Sequence, residues 1–122
     1  MPSTLQPPFD ESAYKLVVNG SIGATKVKVA QSVWADDVFQ PGYSLMPLGQ
    51  VQQFINTNGH LPNVPSEEQV LKEGVDLGQM DAILLRKIEE LYLYTLALKR
   101  QGEELKKQNE LLQKRLEAIE AR

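Results

Sequence analysis

From Leu77 to Arg122 no proline interrupts the chain, and Leu77, Leu84, Leu91, Leu98, Leu105, Leu112 and Ile119 recur every seven residues without a miss. An apolar residue held to this spacing over so many turns marks a helix that supercoils with others. With these as d positions, the a positions are Asp81, Ile88, Thr95, Gly102, Asn109 and Leu116. The stretch has 46 residues, roughly 69 Å of helix at about 1.5 Å per residue. The 76 residues before it are too few to cover a rod of that size. A seam as thin as Leu112, Leu116 and Ile119 is no domain core either. It must be buried against other copies of itself, and the expectation is a parallel coiled coil over 77–122.

The helix changes character along its length. Up to Leu98 it carries apolar residues away from the seam, namely Ile83, Leu85, Tyr92, Leu93 and Leu96. Beyond Lys99 the apolar character concentrates on the seam, and outward positions hold pairs such as Glu103 with Lys107 and Glu110 with Lys114. The first half is therefore expected to face both sister helices and the rest of the chain, and the second half sister helices alone.

Two features bear on the copy number. Asn109 at an a position is the kind of register-setting residue found in two-stranded coils. The segment "RLEAIE" argues for three, because it puts Arg115 at g, Leu116 at a, Ile119 at d and Glu120 at e. It resembles the R-h-x-x-h-E signature of three-stranded coils. In that arrangement the arginine stem covers the seam while its head pairs with a glutamate of the neighbouring chain. A homotrimer is the favoured reading, with a dimer as the alternative.

The residues before the long helix are expected to form a small head. "PSTLQPPFDES" reads as a flexible lead-in over 1–13 or the end of a shaft. Tyr14, Leu16 and Val18 alternate with Lys15 and Val17, and Val27 and Val29 alternate with Lys26 and Lys28. These patterns predict strands over 14–18 and 25–30, with Asn19-Gly20 as a turn signal. A loop over 33–46 holds Trp34, Phe39 and Tyr43. Short helices are expected over 47–57 and 67–73. Pro47 suits the first turn of one and Asn58-Gly59 ends it; Ser66 with Gln69 spells a capping box for the other and Gly74 stops it. Asp76, followed by Gln79, caps the long helix. The fold class expected is α+β, a small strand region and two short helices packed on the long C-terminal helix.

The segments "YKLVVNGSIGATKVKV", "WADDVF", "GYSLMPLGQVQQFINTNGHLPNVPS" and "GVDLGQMDAILLRKIEELYLY" follow one another in an order that resembles the C-terminal domains of bacterial and phage tail-fibre and surface-fibre proteins. In that family a shaft ends in a K-L-x-V-x-G-x-I strand and a W-x-D-x-V-F loop. An N-G-H-L-P connector and an L-L-x-K-I-E-E-L-x-L-Y helix follow. The resemblance runs from about Tyr14 to Tyr94. It departs at Pro47, where the family usually has a serine cap, and at Gly49, where it has an acidic residue. What it implies is the end of an extracellular fibre, on a virion, a phage-tail-like particle or a cell surface. The fibre end would be trimeric and joined to an upstream shaft.

The remaining chemistry is sparse. With no cysteine, thiolate chemistry, disulfides and cysteine-based zinc sites are excluded. Basic residues number 13 against 16 acidic, a balance that argues against a nucleic-acid partner. No apolar run approaches the roughly 20 residues of a membrane span, and the start shows no signal-peptide pattern. His60, the lone histidine, has no marked catalytic partner, and the expectation is a side chain that ties down its connector. Asp36 and Asp37 are neighbours whose side chains diverge in extended chain, a poor cation or acid/base pair. Ser21 with Lys26 or Lys28 lacks the Ser-Asp context of self-cleaving fibre chaperones. Trp34 and Tyr43 are candidate contacts for a surface glycan or receptor, though aromatic packing of a thin head is the plainer reading. No catalytic, metal or cofactor site is expected. The chain reads as a non-enzymatic trimerisation and folding-register module. A receptor- or glycan-binding tip is the alternative, and a self-cleaving chaperone a more distant one.

Overall fold

The computed structural model describes residues 11–30, 34 and 36–121. Residues 1–10 of the expected lead-in, 33 and 35 of the aromatic loop, and Arg122 lie outside the described residues. Among the described residues there are three α-helices: α1 at Leu48–Asn58, α2 at Glu67–Glu73 and α3 at Leu77–Glu120, after a single 3-10 turn at Glu11–Ala13. The chain divides into two compact units, Met1–Arg86 and Lys87–Arg122. The residues of α3 up to Arg86 belong to the first, and the rest to the second.

The strands expected over 14–18 and 25–30 are absent, so the α+β expectation is corrected to an all-helical arrangement among the described residues. Alternation alone does not make a strand. A ladder needs a partner to take its N–H and C=O groups, and an isolated two-stranded hairpin is marginal in water. Here both alternating runs stay largely exposed among the described residues: Leu16 is 79% exposed and Val27 68%. Tyr14, Leu16, Val18 and Ile22 line one shallow hollow of about 250 Å³ together with Val17.

The helices begin and end on local chemistry. Pro47 occupies the N-cap of α1, with φ −58° and ψ 142°. It offers no capping side chain, but its carbonyl accepts the N–H groups of Gln50 and Val51 at 2.9 and 3.1 Å. Gly59 closes α1 in the left-handed conformation at φ 75°, its N–H donating to the Ile55 carbonyl at 2.8 Å. A side chain other than glycine would be strained there. At α2 the capping box is complete: the Gln69 N–H donates to Ser66 Oγ and the Ser66 N–H to Gln69 Oε1, both at 3.2 Å. Gly74 ends it. For α3, Asp76 Oδ1 accepts the Gln79 N–H at 2.8 Å.

Two proline turns shape the first unit. Across Gln40–Tyr43 the Tyr43 N–H donates to the Gln40 carbonyl at 3.2 Å, with Pro41 and then Gly42 at φ 83° between them. Across Leu61–Val64 the pattern repeats, with Pro62 and then Asn63 at φ 61°. Proline followed by a residue of positive φ is the signature of a type II turn, and asparagine tolerates that position best after glycine. Val38, just before the first turn, is 2% exposed and forms the apolar core of the described residues.

Candidate self-association surface

The seam residues lie on a face that the chain leaves open. Leu77, Leu84, Leu91, Leu98, Leu105, Leu112 and Ile119 are all 49 to 64% exposed, and at a positions Ile88 is 51% and Leu116 55% exposed. Within the first unit the contrast follows the heptad. Gly78 is buried, and Met80, Ala82, Ile83, Leu85 and Arg86 are half-buried, at e, g, b, c, e and f positions. Leu77, Asp81 and Leu84, at d, a and d, are exposed. Apart from Gln79 at f, which is exposed, the side and back positions of this stretch are covered at least in part, and the seam faces outward.

The polar members of the seam differ in how well they suit burial. The Thr95 hydroxyl donates to the Leu91 carbonyl at 2.8 Å, so its polar group is satisfied within its own helix and the rest of the side chain resembles valine. Asn109 is exposed, and its side chain makes no such bond among the described residues. Gly102 is exposed, and a Cβ placed on it would meet nothing within 4 Å. At the far end Arg115 and Glu120 are both exposed, and neither is in an ion pair within the chain among the described residues.

The outward ion pairs are not those expected. Glu103 meets Lys99 at 3.7 Å rather than Lys107, and no Glu110–Lys114 pair forms among the described residues. An exposed contact of that length contributes about 0.2–1 kcal/mol at best. Nearer the middle of the chain, Lys87 and Glu90 pair at 3.0 Å with both side chains largely covered.

One tie escaped sequence reasoning. Arg86 Nη1 reaches Asp37 Oδ1 at 2.9 Å and Oδ2 at 3.1 Å across 49 positions of sequence. A hydrogen bond with Tyr43, and after it the bond to Asp37, hold the guanidinium even more firmly protonated than usual. The signal was present in outline, since Arg86 sits at an f position opposite the seam while Asp37 belongs to an acidic pair in a loop. Periodicity cannot say which loop lies over which helix face.

These contacts bear on the other candidates. Tyr43 is half-buried and hydrogen-bonded with Arg86, whereas Trp34 is 54% exposed. His60 donates from Nδ1 to its neighbour Leu61's carbonyl at 2.8 Å and meets Phe54 edge-on at 5.4 Å, a local tie. A cleft of about 430 Å³ lies beside it, lined in part by Gln69, Glu73, Asp76 and Gln79. Gln69 and Asp76 already use oxygens there to start α2 and α3. Among the described residues no helix is long and apolar enough to cross a membrane. Compared with protein-family models, with curated proteins and with solved structures, the chain matches none.

Proposed function

We propose that this chain is a non-enzymatic assembly module, which brings three copies together in parallel through the seam of α3. The observation that carries the reading is the seam itself, an unbroken seven-residue repeat of leucine and isoleucine whose members stay about half exposed in the single chain. Burial of apolar area drives association, and the seam is the apolar surface that the chain repeats most regularly. Three copies rather than two is supported by Arg115 and Glu120. They flank the last two seam residues and have no partner of their own within the chain, among the described residues.

The order of motifs from Tyr14 to Tyr94 supports a place at the C-terminal end of a tail or surface fibre, outside the cell or on a virion. There the zipper would set the register of three chains, and later contacts among them and with the upstream shaft would become effectively intramolecular. Tethering of this kind raises local concentration to about the millimolar range for short linkers. Sedimentation equilibrium over a dilution series tests the reading. The expected mass is three times the 13.7 kDa chain. A single-chain mass at tens of micromolar would refute association, and a two-chain mass would refute the role given to Arg115.

A further inference from the structure

Gly102 leaves the seam one side chain short in its middle. It sits at an a position between Leu98 and Leu105 at d, about 6 Å and 4.5 Å away along the axis. Resting on the three-copy association proposed above, we infer that assembly closes the Gly102 layer into an axial apolar cavity. Its ligand would be a small apolar molecule, a short alkyl chain or a single aromatic ring.

The helices cannot simply draw together to fill the gap. The leucine layers on both sides hold the axes apart, since six leucine side chains occupy the space directly above and below three glycines. Nor is water a good occupant, because a buried water needs two to four polar partners. The nearest polar seam residues, Thr95 and Asn109, lie seven positions away on either side, about 10.5 Å along the axis. The Thr95 hydroxyl is already spent on the Leu91 carbonyl. The backbone of Gly102 lies inside α3, where its N–H and C=O serve the helix ladder. A dry, leucine-walled space of this kind takes xenon or benzene readily.

The probes are xenon, followed by 129Xe NMR, and benzene, followed by the thermal midpoint, with the mass of the full chain measured by sedimentation in the same samples. The assembled protein should shift the xenon resonance saturably, with about one site per three chains, and benzene should raise the midpoint. Gly102→Ile should abolish both effects while the three-chain mass persists, and Gly102→Ala should weaken them. A three-chain wild type with no saturable shift overturns the cavity and leaves the association intact. A shift that survives in Gly102→Ile also overturns it. A single-chain mass overturns the association, and the cavity with it.

Discussion

Replacing Leu98 and Leu105 together with alanine probes the seam where only leucines hold it. In the single chain these side chains are 55% and 58% exposed. Fully burying a leucine is worth about 1.5–3 kcal/mol, so slightly more than half of that, about 1 kcal/mol, remains to be gained at each when copies meet. Two sites in three chains then amount to about 6 kcal/mol, or roughly four decades in the association constant at 1.4 kcal/mol per decade. Alanine is the better helix former, so helix propensity cannot cause the loss. Sedimentation velocity and circular-dichroism melts over a dilution series should show the double variant dissociating at concentrations where the wild type stays assembled. Leu111→Ala is the control: Leu111 is 51% exposed at a c position, off the seam, and should change the midpoint little, as surface substitutions do within about 0.5 kcal/mol. If the double variant kept the wild-type mass and midpoint, the seam would not be where copies meet.

Other substitutions test single links. Arg115→Ala should lower the melting point and let two-chain species appear in sedimentation, because it uncovers the seam and removes the partner of Glu120. Gly102→Ile should raise the midpoint at matched concentration, by at least about 1 kcal/mol per chain from area burial; no rise would place Gly102 off the a position. Arg86→Met should cost about 0.2–1 kcal/mol, since the Asp37 side chain is 54% exposed. It should also alter the fluorescence of Trp34, the lone tryptophan, as the loop comes free. Ser66→Ala should cost about 1 kcal/mol in a thermal melt, the loss of an N-cap.

The sequence by itself determined what depends on neighbours within a few positions. The box of Ser66 and Gln69, the Asp76 cap and the glycine stops at Gly59 and Gly74 are contacts spanning three or four residues, so the local composition carries them whole. The heptad is legible for the same reason, because helical geometry fixes which side chains share a face before any partner is known. The alternation over Tyr14–Val18 and Val27–Val29 misled because a strand is half of an interaction. Its other half lies elsewhere in a fold or in another chain, and among the described residues it is missing. Only the tertiary structure could decide which faces are used. It ties Arg86 to Asp37 across 49 positions, and it half-buries Ile83 and Leu85 while leaving Leu84 open. All three are aliphatic residues of similar hydrophobicity. What separates them is the 100° turn per residue that carries one to the covered side of α3 and its neighbour to the seam.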